Sequence, residues 1–256
     1  MQAPENAVLA ASLLFAAMLA VLEIGRRHGS RRAAANVDGA RPGAGVVDGA
    51  VFALMGLLLA FTFSGAAVRF DQRRTLIVEE ANAIGTAYLR LDVLPAAARD
   101  ELRASFRAYV DARLDVYRAL PDLGAATSHL ARAGALQQEI WTQAVRVSLE
   151  SPPAPMLLLP AINAMIDIAA TRTMAAQTHP PAVIFGLLFG LALLSALLAG
   201  MAMAADRRRN WVHMIIFAAT LAGAVYVIVD LEYPRFGLIR VDAFDRVLVD
   251  LRRSMQ

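Results

Sequence analysis

The chain contains no cysteine and no lysine. Without cysteine there is no disulfide, no thiol nucleophile and no cysteine-ligated zinc, and the redox compartment is left undefined. All 25 basic residues are arginine; together with the abundant alanine, this looks like genomic base composition rather than a functional choice. Histidine is scarce. The four, at positions 28, 129, 179 and 213, fall in separate segments, and none stands one helical turn from another ligand, so no metal site is expected. There is no Walker loop, no GxGxxG motif after a strand and no nucleophile elbow. Period-two alternation is also missing over any useful length. No constellation for an enzyme is present, and no cofactor is implied. The formal net charge of +3 is small, which argues against a nucleic-acid partner.

What the chain has in excess is apolar residues. They make up 58% of its 256 positions, and the mean hydropathy is +0.50. A soluble domain sits near about 45–50%. The excess gathers in four blocks, at residues 6–25, 49–68, 181–204 and 211–229. The second block is the one around which the rest is organised. After Asp48 it runs without charge to Val68, about the 20 residues a helix needs to cross hydrocarbon. Gly56, Ala60 and Ser64 form a stripe of small side chains that another helix can approach closely. Leu57 and Phe61 lie one turn apart on a neighbouring stripe. No break precedes Arg69, Phe70, Asp71, Arg73 and Arg74, so one rigid helix should pass from membrane to solvent.

The first block is preceded only by Glu5 and followed by Arg26, Arg27, Arg31 and Arg32, the reverse of a signal peptide, and reads as a retained anchor. Glu23, near its end, reaches the head-group layer. Residues 29–47, rich in Gly, Ala and Arg with Pro42, read as a flexible linker. The third block carries a GxxxG match at Gly186 and Gly190, continued by Ala192, Ala196 and Gly200. Residues 206–209 read as a tight turn, and Trp211 as an interface anchor for the fourth block.

Between the second and third blocks the chain is polar but keeps a helical period. Ile77, Ala81, Ile84, Tyr88 and Leu91 mark one helix, ending at Pro95. Leu102, Phe106, Tyr109, Val116 and Leu120 mark a second from about Arg99, interrupted by Arg113 and closed by Pro121 and Gly124. Thr127 or Ser128 could cap a third, with Leu136, Ile140, Trp141 and Val147. A proline-rich stop at 151–155 precedes a fourth, from 156 to about 177. The expected fold is an all-α membrane protein with four transmembrane helices. A first hairpin occupies 1–68, a helical extramembrane domain 69–179 and a second hairpin 180–231. An amphipathic tail, 232–256, suits the membrane surface or the bundle.

Several polar groups lie beside these spans. Glu79, Glu80 and Asn82 follow the basic exit of the second. Asn163 and Asp167 stand one turn apart with Thr171 and Arg172 beyond, and Asp230 and Glu232 end the fourth. Repeated by subunit symmetry, Asn163, Asp167 and Asp230 would ring a channel vestibule. The plainer reading is ion pairing within the helical domain or solvated faces. Arginines in the two short loops place those loops in the cytoplasm of a multi-pass bacterial inner-membrane protein, with the helical domain outside.

The pattern LLLAF, seven residues, Arg69-Phe70 and then Arg73 resembles the second span of bestrophin channels. Across nearly its whole length the chain is similar to a bacterial family of bestrophin-like membrane proteins of unassigned function. The segments FTFSGAAVRFDQRR, VEEANAIGTAYLRLDVLP, YVDARL, LPAINAMID and DLEYPRFGLIR carry that likeness. The resemblance implies a homo-oligomer, a pentamer, passing small inorganic ions, with the pore constriction at Leu57 and Phe61. At the turn before them stands Ala53, smaller than the family's residue. Arg69, Arg73, Arg74, Glu79 and Glu80 would stand at the pore mouth, the arginines favouring anions and the acids cations. The resemblance also implies a cytoplasmic helical domain, against the loop charges. The rival expectation is a non-conducting scaffold or sensor whose helical domain binds a partner and whose spans pair through the GxxxG stripe. A proton-driven stator component fits less well, because no acid stands at mid-span.

Overall fold

The computed structural model describes residues 5–35, 44–150, 154–205 and 209–255. The centre of the expected linker with Pro42, the stop at 151–153 and residues 206–208 of the arginine turn lie outside the described residues. Among the described residues eight α-helices follow one another: α1 (Glu5–Ala35), α2 (Ala44–Leu89), α3 (Ala96–Arg118), α4 (Leu123–Ser148), α5 (Ala154–Gln177), α6 (Ala182–Ala202), α7 (Trp211–Glu232) and α8 (Arg246–Ser254). Among the described residues there is no strand. Four apolar helical stretches among the described residues are long enough to cross a membrane, one each in α1, α2, α6 with what precedes it, and α7. The protein is an all-α membrane protein with a helical domain between its second and third spans.

Two compact units share the chain. The first, Met1–Val68 with His179–Leu238, holds α1, the first half of α2, α6 and α7. Here α1 packs along α6 and α7, burying Leu14, Met18 and Leu22 at four-residue steps. Lipid tails are as apolar as these side chains, so close backbone approach has to hold the helices together. Glycine provides it. A Cβ on Gly200 would overlap the Leu22 carbonyl, and one on Gly25 the Leu197 carbonyl. Gly29 continues the same seam against Met201 and Ala204. This corrects the linker expected at 29–47: residues 29–35 complete α1 and residues 44–47 already belong to α2. A glycine that looks flexible in sequence is here a packing surface.

The second unit, Arg69–Thr178 with Ile239–Gln256, holds the rest of α2 together with α3, α4, α5 and α8. Its core joins Ile84 and Leu91 of α2's continuation, Phe106 and Tyr109 of α3, Ile140 of α4, Leu158 and Ile162 of α5, and Leu248 of α8. Each large side chain fully buried contributes about 1.5–3 kcal/mol. Tyr88 and Phe106 meet edge to face at 6.1 Å. The cap of α4 is Asp122, whose carboxylate accepts from the Ala125 amide at 3.0 Å. Gly124, Thr127 and Ser128, expected to close one helix and cap the next, therefore lie inside α4, and the Thr127 hydroxyl donates back to the Leu123 carbonyl. Of the two expected resting places for the tail, α8 takes the bundle. Leu248 is buried there, and Arg252 clasps Asp111 at 2.8 and 3.0 Å.

Candidate functional site

Within the first unit, α2 has two unlike sides. Met55 and Ala66 are buried, and Phe52 meets Phe217 of α7 edge-on at 6.3 Å. The Thr62 hydroxyl folds back on the Leu58 and Leu59 carbonyls, so it presents no free donor. On the other side Ala53, Gly56, Leu57, Ala60, Phe61, Ser64 and Val68 are exposed. They recur at three- and four-residue steps, forming one continuous stripe. Leu57 is 53% exposed and Phe61 68%. A Cβ at Gly56 would meet nothing within 4 Å. Leu54 and Phe63, exposed at 55% and 47%, flank this uncharged stripe and widen the uncovered face.

The charged candidates of the second unit divide sharply. Glu79 is exposed, whereas Glu80 is fully buried. One Glu80 oxygen accepts from Arg113 Nε at 2.6 Å and the other from Arg172 Nη1. Arg113 also reaches the Tyr117 hydroxyl at 2.9 Å, and Arg172 reaches Asp245 at 3.3 Å while lying 4.2 Å from the Tyr117 ring centre. Burial alone would lower the Arg113 pKa, but the Tyr117 phenol and the Glu80 carboxylate outweigh it and raise it above the ordinary arginine value. The interruption of the α3 stripe by Arg113 is thus a buried ion pair. Nearby, Gln137 donates to the Tyr109 hydroxyl at 2.9 Å. Burial pushes the Tyr109 phenol up, only partly offset by Arg113.

Two pore-mouth candidates are engaged within the second unit by these contacts. Glu80 is consumed by its two arginines and faces no solvent. Arg73, only 8% exposed, donates to the Ala175 and Thr178 carbonyls at 3.2 and 2.9 Å. It caps the end of α5, where unpaired carbonyls and the helix dipole both favour a cation. Arg69 and Arg74 are half-buried; Arg74 pairs with Asp71 at 2.9 Å and lies over the Phe244 ring at 4.2 Å. Asn163 and Asp167 are exposed on α5 and bonded to each other at 2.9 Å, with the Thr171 hydroxyl on the Asp167 carbonyl.

In the first unit the vestibule candidate Asp230 is also turned inward. It is 1% exposed and accepts the Leu238 amide on both oxygens, at 3.2 and 3.1 Å. A Cβ at Gly237 would collide with its carboxylate, which explains glycine there. Asp230 therefore fastens the turn after α7. Sequence reasoning missed the neighbouring pair: buried Glu232 lies 3.6 Å from His179, whose ring stacks on Tyr233 at 4.5 Å. Only the proline-flanked position of His179, just ahead of a span, could have hinted at it.

Solved structures share this fold. A bacterial bestrophin homolog from Klebsiella pneumoniae, in a tryptophan-to-alanine variant, matches with a TM-score of 0.70 at 15% identity, covering 97% of this chain and 99% of that one. A tyrosine-to-alanine variant matches at 0.68 and 14%, covering 94% and 98%. The homolog phased on zinc matches at 0.66 and 16%, covering 96% and 98%. At such identities the likeness shows the fold alone. No curated protein sequence matches. The model of the Bestrophin-like domain matches residues 11–243, nearly the whole length, and the protein belongs to the bestrophin-like family.

Proposed function

We propose that the protein is an ion channel, assembled from several copies around an axis lined by α2. The observation that carries this is the uncharged exposed stripe of α2, with Leu57 and Phe61 at 53% and 68% exposure and no partner covering it among the described residues. Copies arranged about that stripe would enclose a narrow apolar throat, which gates by drying. Family membership supports the reading, and by resemblance the copy number is five. Arg69, Arg74, Glu79, Asn163 and Asp167, half-buried or exposed, are the polar groups offered to the path; Glu80, Arg73 and Asp230 leave the set because they are buried. Purified protein in liposomes should pass potassium or chloride above the empty-liposome rate, and Phe61→Ala should raise the flux by opening the narrowest ring. Intact oligomers that pass neither ion overturn the proposal.

The second reading, a non-conducting scaffold, has its own observation. Gly186 and Gly190 of α6 are exposed, and a Cβ on either would touch nothing within 4 Å, leaving the GxxxG stripe open for pairing. It predicts a monomer or dimer by native mass measurement, where the channel predicts a ring.

A further inference from the structure

The geometry points to a head-group site for anionic phospholipid at the end of the first unit that carries Glu23. Three guanidiniums converge on that one carboxylate. Arg26 donates through Nε and Nη2 at 2.9 and 3.0 Å, Arg27 through Nε at 2.7 Å, and Arg209, ahead of α7, through Nη2 at 2.6 Å. The carboxylate neutralises one of the three charges, so two positive charges remain in excess. Arg26 has turned its fork onto Glu23, but the other two have not. Arg27, with its side chain 63% exposed, and Arg209, at 44%, each engage Glu23 through a single nitrogen and keep much of the side chain open to a ligand. Guanidinium forks match phosphate oxygens in both shape and charge.

What separates a lipid from a free anion is the surface beside these forks. The Arg209 guanidinium lies 5.6 Å from the Trp211 ring centre, and Trp211 is itself 47% exposed, the position of an interface anchor. Next to it Val212 and Ile216 of α7 are more than half exposed, as is Ile24 of α1 one residue beyond Glu23. A phosphodiester carrying acyl chains satisfies the forks and the apolar flank together. Inorganic phosphate satisfies only the forks. Arg31 and Arg32, exposed one turn further along α1, extend the positive field without taking part in the cluster.

The test is native mass spectrometry of the full chain in detergent, titrated with phosphatidylglycerol and with phosphatidylcholine of the same acyl chains. Two excess charges at the membrane surface predict a preference for phosphatidylglycerol of about thirtyfold. Arg27→Gln, a change at a mostly exposed side chain, should cut that preference about fivefold. Glu23→Gln should increase it, because the carboxylate competes with the lipid phosphate for the same donors. A merely structural cluster predicts instead that both variants alter stability and neither alters lipid preference. Equal retention of the two lipids by the unmodified protein overturns the assignment, as does an unchanged preference in Arg27→Gln. Glycerol phosphate displacing phosphatidylglycerol at equal concentration overturns the lipid in favour of a simple anion.

Discussion

Replacing Glu80 by glutamine is the sharpest perturbation of the helical unit. Two carboxylates, Glu80 and Asp245, meet two guanidiniums, Arg113 and Arg172, with side chains between 0% and 16% exposed. Glutamine keeps the volume and removes one negative charge. Arg172 retains Asp245, but Arg113 loses its carboxylate while remaining buried. Two charge-assisted hydrogen bonds at about 1.5–3 kcal/mol each bound the loss at roughly 3–6 kcal/mol. Breaking a buried pair by deleting one partner costs about 3–5 kcal/mol, because the surviving charge is left uncompensated. A loss of about 4 kcal/mol follows, equivalent to a fall in melting temperature of roughly 8–16 °C for a domain of this size class. The assay is thermal melting of the full chain in detergent, followed by circular dichroism and by protease cleavage within residues 69–178. Arg113→Met should be similarly costly, yet the double variant should lose about 2 kcal/mol less than the sum, since both remove one interaction. A shift below about 1 kcal/mol for Glu80→Gln, no larger than the usual worth of a solvated ion pair, would refute the reading of Glu80 as a buried carboxylate whose loss leaves Arg113 uncompensated.

Glycine substitutions should separate closed seams from open ones. Gly200→Ala drives a Cβ into the Leu22 carbonyl and should cost about 1–3 kcal/mol by overpacking, whereas Gly190→Ala meets nothing within 4 Å and should be neutral or mildly stabilising in the monomer. Melting in detergent reads both. Tyr109 gives the pH-dependent case. Its buried phenol is raised above the ordinary tyrosine value, so the folded state holds that proton more tightly than the unfolded one. Its contribution is complete below about pH 10, the unfolded phenol value, and is lost as pH climbs toward the folded one. Alkaline melting should therefore coincide with late tyrosinate absorbance, and Tyr109→Phe should remove that late component. An early tyrosinate signal from Tyr109 in folded protein would contradict its burial.

The helices and their order were legible because apolar blocks of about 20 residues and three-to-four-residue periods are local properties of the chain. The roles of its charged residues were not. Glu80 and Arg113 are separated by 33 positions, and Glu80 and Arg172 by 92. Arg113 alone carried a local sign, its place on the apolar stripe of α3; nothing local to Glu80 or Arg172 distinguishes a buried pair from a solvated face. The same holds for Arg73, whose acceptors are carbonyls 102 and 105 residues away. A backbone carbonyl has no residue identity, so no sequence motif can announce that partner. Asp230 differs. Its acceptor role spans eight residues, and the Gly237 beside it was a readable clue, because a turn pressed against a carboxylate admits only glycine.

The small-residue stripes divide on a physical ground that spacing alone does not express. Gly25 and Gly200 belong to helices that meet within one chain, and their missing side chains are already filled by a neighbour's backbone. Gly56 and Gly190 have identical local chemistry, but open space lies where their side chains would be. In lipid an open groove of this kind gains little from acyl chains, which cannot follow it as closely as a second helix does. Were copies of the chain to pack on one another, α2 and α6 would be two such faces, beside Gly223 of α7, where a Cβ also meets nothing within 4 Å. These two faces have different consequences. The α6 stripe offers only closeness. The α2 stripe carries Leu57 and Phe61 alongside Gly56 and Ala60, so in the channel proposed above copies meeting there would set two large apolar side chains across a shared axis. The decisive measurement is consequently positional. Cysteines introduced singly at 57 and at 190, in this cysteine-free chain, should both crosslink if each face is an interface between copies. Only those at 57 should also alter ion flux when modified, and equal effects at both positions would remove α2's special place.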